Sequence, residues 1–153
     1  MKKRLLLFVL VLVLAYALIA AGCGRGGTPN PDTTPPAPVG DLAVSDFTAT
    51  AVTLTWTAPG DDGTVGRAAV YDVRYAASPI TTEEAWEAAT QCTGEPAPVA
   101  ANTAQTMGIT GLDPAETYSF AVKTADEADH WSAISNSPDR QALINLIWEF
   151  SED

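Results

Sequence analysis

Leu112-Asp113-Pro114-Ala115-Glu116-Thr117-Tyr118 is the stretch whose reading decides the fold. Leucine and proline make a turn, and the tyrosine opens a period-two run in which Tyr118, Phe120 and Val122 alternate with Ser119, Ala121 and Lys123. A tyrosine placed just after such a turn sends its hydroxyl back to upstream backbone and pins a Greek-key crossing, the arrangement called a tyrosine corner. Outward from this point the same period recurs. Residues 51–57 read Ala-Val-Thr-Leu-Thr-Trp-Thr, with Val52, Leu54 and Trp56 on one face and the threonines on the other, as expected of a strand buried on one side. Ala-Pro-Gly-Asp-Asp-Gly at 58–63 breaks it. Tyr71, Val73 and Tyr75 then alternate with Asp72 and Arg74, and Met107 and Ile109 with polar neighbours. Short alternating runs separated by Gly, Pro and Asp predict an all-β domain whose inward sets share one core.

Together with Trp56 on the second strand, the corner resembles the fibronectin type III family. The resemblance runs from about Pro36 to Ser137 and includes Pro35-Pro36 at its start, Val39-Gly40-Asp41-Leu42 on the first strand, and Asp129-His130-Trp131-Ser132-Ala133-Ile134-Ser135-Asn136 at its end. Bacterial members often contain close relatives of Trp-Thr-Ala-Pro-Gly-Asp-Asp-Gly-Thr (56–64), Tyr-Asp-Val-Arg-Tyr (71–75) and Lys-Thr-Ala-Asp-Glu (123–127). The resemblance implies an immunoglobulin-like antiparallel sandwich of two sheets and seven strands over residues 39–137. One departure is an insertion at 78–89 after the third strand, where Thr81 and Glu84 match a capping box and predict one or two helical turns, with Trp86 packing against the sandwich and covering an edge. The integrin-binding Arg-Gly-Asp triplet of some animal members is absent; the turn reads Asp126-Glu127-Ala128-Asp129 instead.

The two ends carry their own signals. Lys2, Lys3 and Arg4 precede an uncharged apolar run from Leu5 to Ala21, the layout of a secretory signal over residues 1–22. Ile19-Ala20-Ala21-Gly22-Cys23 resembles the lipobox of bacterial lipoproteins, which implies a diacylglycerol on the Cys23 sulfur and cleavage just before it. Ala20 stands where leucine is commoner. The rival readings are a retained membrane helix, for which the run is near the lower length limit, and simple secretion. By the same resemblance, Gly24 after the cysteine implies outer-membrane delivery in a host with two membranes. Residues 23–38 form a Gly- and Pro-rich tether without a large apolar side chain, a spacer that lifts the domain off the bilayer. At the far end, Ser137 as N-cap and Pro138 as first helical residue predict a helix in an apolar tail over 138–153. Its Leu143, Ile144, Leu146, Ile147, Trp148 and Phe150 are too apolar to stand in water unaided. Leu143, Ile144, Ile147, Trp148 and Phe150 are the candidate partner contacts; folding back on the domain, or the stump of a lost further domain, are the other readings.

Cleavage before Cys23 would leave 131 of the 153 residues, room for one domain and none for a multidomain enzyme. That mature chain carries five basic and nineteen acidic residues, a net charge of −14 that repels phosphate backbones and disfavours nucleic acid. The catalytic inventory is thin. His130 is the single histidine, so no two-histidine metal site can be built, and although it stands near Ser132 and Ser135 no Gly-x-Ser-x-Gly elbow appears. Asp61 and Asp62, with Asp126, Glu127 and Asp129, fall in two loops that the resemblance puts at one end of the sandwich; clustered oxygens suit calcium, but Asp-Asp-Gly is also a common turn and the spacing matches no EF-hand. Cys92 has no partner once Cys23 is acylated, so it is expected to be a buried thiol, with an intermolecular bridge as the alternative. The sequence therefore predicts a non-catalytic, cofactor-free bacterial surface lipoprotein, anchored in the bilayer through Cys23, that displays one module to an envelope or extracellular protein. A structural subunit of an envelope complex docked through the tail, and a glycan-binding module, are the rival readings.

Overall fold

Strand formation follows the alternation. In the computed structural model, which describes residues 32–140, the strands are β1 Ala43–Phe47, β2 Ala51–Thr57, β3 Val70–Ala76, β4 Thr90–Gln91, β5 Ala104–Thr110, β6 Tyr118–Ala125 and β7 Asp139–Arg140, with one helix, α1 Glu83–Ala88, between β3 and β4. Contacts divide the chain at Asp32, and the folded unit begins at Thr33. All strand pairs are antiparallel, in a three-stranded sheet ordered β1-β2-β5 and a four-stranded sheet ordered β4-β3-β6-β7. The two sheets enclose a core of Val52, Leu54, Trp56, Tyr71, Val73, Met107, Ile109, Phe120 and Val122, the inward residues that alternation picks out. Trp56 and Tyr71 meet edge to face at 5.1 Å between ring centres, a favoured aromatic geometry. The Tyr118 hydroxyl accepts the Asp113 N–H at 3.0 Å, so the tyrosine corner is formed.

β2 and β5 are buried on one face, but β6 is buried on nearly both. The reason lies outside the core. Ala121 points away from the sandwich and packs beneath Ile80 and Trp86 of the insertion, with Ala76 and Ile134 beside them. The small side chain of Ala121 leaves room for the indole to lie on the sheet. Trp86 thus covers the outer face of the four-stranded sheet rather than an edge. The helix cap also differs by one residue from expectation: Thr82, not Thr81, is the N-cap, its hydroxyl accepting the Ala85 N–H at 3.2 Å.

Two further differences concern the chain ends. Residues 39–42 precede β1 instead of lying in it. There Leu42 is tied across the molecule by Asn136, whose side-chain amide receives the Leu42 N–H at 2.9 Å and donates to the Leu42 carbonyl at 2.7 Å. Asp139–Arg140 form β7, paired with Ser119 and Tyr118, where a helix was expected to start at Pro138. The Phe120 N–H reaches the Pro138 carbonyl at 2.9 Å, and the Ser137 hydroxyl accepts the Ile80 N–H at 3.0 Å. Pairing to β6 satisfies the Pro138 carbonyl and the Phe120 N–H, and it outweighs a local N-cap signal. The Arg140 guanidinium is buried and donates to the carbonyls of Thr48, Ala49, Asp113 and Glu116. The rest of the tail, including Leu143, Ile144, Ile147, Trp148 and Phe150, lies outside the described residues, as do Cys23 and the signal.

Candidate functional site

The outer face of the four-stranded sheet is roofed only in part, by Ile80 and Trp86 over Ala121. Alternation in β3 puts Asp72 and Arg74 outward, and the same alternation in β6 puts Lys123 outward; the register sets Asp72 opposite Lys123 and Arg74 opposite Ala121. The Arg74 guanidinium binds Asp72 with contacts of 2.9 to 3.2 Å and donates to the Trp86 carbonyl at 3.0 Å. Both Arg74 and Lys123 lie over the Trp86 ring, 4.6 Å and 5.0 Å from its centre, and Lys123 also pairs with Glu83 of α1. The insertion is therefore held by cation–π contacts and ion pairs as well as by apolar packing. Beyond Trp86 the face is open, and a groove of about 300 Å³ remains, lined by Asp72, Arg74, Trp86, Glu87, Lys123 and Trp131.

The residues singled out in the sequence are placed differently. Ser132 and Ser135 are buried, and their hydroxyls substitute for missing ladder groups where the last segment of chain runs irregularly along β6. Ser132 Oγ accepts the Thr124 N–H and donates to the Ala133 carbonyl; Ser135 Oγ accepts the Val122 N–H and donates to the Asn136 carbonyl. Neither is left as a nucleophile. His130 Nδ1 lies 2.9 Å from Asp126, whose buried carboxylate also accepts the backbone N–H groups of Ala128 and His130 at 2.8 Å. Burial pushes the Asp126 carboxyl up, but the backbone and side chain of His130 and the Ala128 N–H outweigh it and hold the group below the ordinary aspartate value. Asp126 is thus turned into its own loop. The two acidic loops do meet: carboxylate oxygens of Asp61 and Glu127 come within 4.8 Å of each other. Asp129 takes a left-handed backbone at φ 63°, which aspartate tolerates better than most residues.

Asp41 is also lowered, by the side chain and the backbone N–H of Thr57; that N–H is shared between the two carboxylate oxygens at 3.0 Å and 3.2 Å. A carboxyl whose folded value lies below its unfolded value adds stability that is present above the unfolded value, near pH 4, and is lost as pH falls through the folded one. The melting-temperature advantage of the native protein over Asp126→Asn is accordingly expected to shrink as pH falls from about 5 to below about 4. Thermal melts across that range check it; an advantage that grew on acidification would contradict the assignment.

Cys92 is buried against Val73, whose carbonyl accepts the Cys92 N–H at 2.8 Å. Burial, with the charges of Glu95 and Asp72 adding to it, pushes the thiol up to about 12. The thiolate is the reactive form, so this cysteine is inert in the folded protein. Iodoacetamide at pH 8 is expected to leave Cys92 unmodified until urea unfolds the chain, when labelling follows the unfolding curve; mass spectrometry of the peptide reads the outcome.

A family model described as "Fibronectin type III domain" matches residues 36–137. The chain belongs to the fibronectin type III family. Within that family, the module is similar to part of chitinase Chi52 of Paenibacillus xylanexedens, 33% identical over 117 residues, which cover 76% of this chain and 18% of the enzyme. It is also similar to part of endoglucanase B of Cellulomonas fimi, 32% identical over 108 residues, or 71% of this chain and 9% of the enzyme. The chain thus spans less than a fifth of the length of these two relatives. Among solved structures, titin kinase with its flanking domains shares the fold, with a TM-score of 0.51 and 22% identity over 74% of this chain and 18% of that one. Among the described residues, no helix of the fibronectin type III module is long and apolar enough to cross a membrane.

What sequence reasoning missed is the groove and the Arg140 staple. The signal for the first was present. Asp72, Arg74 and Lys123 are the outward members of two strands read correctly as alternating, and Trp131 stands in the closing motif. Their meeting depends on the β3–β6 register, which alternation does not supply.

Proposed function

We propose that the protein is a non-catalytic display module, exported and anchored through a lipidated Cys23, with residues 24–38 as spacer and the fibronectin type III unit free to contact a protein at the cell surface. The observation that carries the reading is that the side chains best equipped for chemistry are used to build the fold. Ser132 and Ser135 complete a ladder, Asp126 and His130 close a turn, and Cys92 is a protonated core thiol. Similarity to small portions of a chitinase and an endoglucanase supports the same reading, since such a module recurs beside other chemistry. The apolar positions Leu143, Ile144, Ile147, Trp148 and Phe150 supply a docking segment beyond the module.

The test has two parts. Metabolic labelling with an alkyne fatty acid is expected to mark the native protein and not Cys23→Ser. Crosslinking in intact cells, with the full chain and with one ending at Arg140, is expected to recover a protein with the first and lose it with the second. The cut follows Arg140 because β7 and its guanidinium belong to the fold. Unlabelled native protein refutes the anchor, and an empty crosslink with both chains refutes the protein-contact reading.

A further inference from the structure

We propose that the groove between Trp131 and Trp86 binds a neutral oligosaccharide, the Trp131 ring stacking on a sugar face while Asp72, Glu87 and Lys123 hydrogen-bond its hydroxyls. The inference rests on the reading of this module as a binding unit and names a site for it. Two rows of side chains on the sheet carry the argument. In one row Val70 pairs with Ala125 across β3 and β6, Trp131 bridges to Ala125 from the segment after β6, and Val70 and Trp131 are 43% and 44% exposed. In the next row, two residues further along each strand, Asp72 stands opposite Lys123. An apolar strip thus runs beside a strip of paired acid and base, with Glu87 at the rim and Trp86 as the far wall.

That lining discriminates among ligands. Its charges, two carboxylates and two cations, sum to zero. Arg74 is held by Asp72 and Lys123 by Glu83, so neither cation stands free for an anion, and the acidic chain as a whole repels one. A hydrophobic peptide finds too little: among the described residues the exposed large apolar side chains are Phe47, Val65, Val70 and Trp131, and of these only Trp131 lines the groove. A sugar matches on both counts. Its C–H face stacks on an indole, and each hydroxyl both donates and accepts. A carboxylate engaged by one arginine keeps spare lone pairs, and an ammonium engaged by one carboxylate keeps spare N–H groups. At about 300 Å³ the groove is at the small end of ligand sites, which fits a short saccharide held weakly.

The experiment is a titration of the full-length protein, purified in detergent, with cellohexaose and separately with N-acetylchitohexaose, followed by tryptophan fluorescence and calorimetry. Saturable binding of at least one at millimolar concentration is expected. Trp131→Ala is expected to weaken it by about tenfold or more, and Trp131→Phe to retain most of it, with the melting temperature of each variant read alongside so that lost binding is told apart from lost folding. No binding of either sugar to the native protein overturns the proposal, as does equal affinity in Trp131→Ala, or a photocrosslinker at position 131 that captures a protein in cells. Failure of the sugars alone leaves the protein-contact reading standing, since that falls only with the crosslinking experiment above.

Discussion

Arg140→Met is expected to lower the stability of the module by about 3 kcal/mol, or roughly 15 °C in melting temperature, without changing its fold. Methionine fills similar space and removes the guanidinium, so the loss reports hydrogen bonds more than packing. Four carbonyls depend on that group: Thr48 and Ala49 in the β1–β2 turn, and Asp113 and Glu116 in the turn before β6. The first turn belongs to one sheet and the second leads into the other, so a single side chain closes one end of the sandwich. Hydrogen bonds from a charged donor contribute more than neutral ones, but these turns are exposed and water recovers part of the loss, which keeps the figure below that of a deeply buried pair. Lysine cannot reproduce the fork and is expected to fall between arginine and methionine.

The same end holds the tyrosine corner, which makes the effect non-additive. The Asp113 peptide is gripped from both sides, its N–H by the Tyr118 hydroxyl at 3.0 Å and its carbonyl by Arg140 at 3.3 Å, and Tyr118 and Arg140 are partners in the β6–β7 register. Once either grip is lost the turn relaxes, and the other then contributes less. Tyr118→Phe combined with Arg140→Met is therefore expected to cost less than the two single changes added together. Denaturant unfolding of the four proteins at one pH measures the difference.

How much of this was legible beforehand depends on whether the cause was local. The inward faces of β2, β3, β5 and β6 were, because alternation against a core is a property of each strand taken alone. The corner was, because turn and tyrosine are adjacent. The end of the module was not. Ser137-Pro138 carries a genuine helix-start signal, but Pro138 and Arg140 are claimed by β6, a segment some twenty residues away in sequence. The sandwich also hides its serines: Ser132 and Ser135 read as free hydroxyls until the irregular path of the last segment shows which N–H groups would otherwise be unpaired. The groove was illegible for a related reason. Its acid and base come from different strands, and its roof from an insertion whose length was visible but whose landing place was not. Trp86 lands on the face rather than the edge because Ala121 is small, a feature that matters only once both residues are seen together.

Gly60→Ala is the second large effect, about 3 kcal/mol destabilising, and its origin is steric. A Cβ at position 60 would overlap the backbone of Val65, so the turn could not keep its shape. That turn is tightly bonded: the Gly60 N–H reaches the Gly63 carbonyl at 2.9 Å, the Asp61 N–H reaches the Val65 carbonyl at 2.7 Å, and the Val65 N–H returns to Asp62 at 3.1 Å. It is also a latch, because Gly63 exchanges hydrogen bonds of 3.0 Å and 3.1 Å with Ala37 and Pro35 where the chain enters the module. Displacing Val65 breaks the inner bonds first and loosens the latch with them. Gly40→Ala is the matched control, since nothing lies within 4 Å of the added carbon; there the smaller entropy of the unfolded chain is expected to leave stability unchanged or raise it by about 0.5 kcal/mol. Opposite signs at two glycines distinguish a close approach of backbone from a general intolerance of side chains in these loops. If both substitutions prove neutral, Gly60 does not approach the Val65 backbone as closely as described, and the attachment of the chain entrance through Gly63 loses its support.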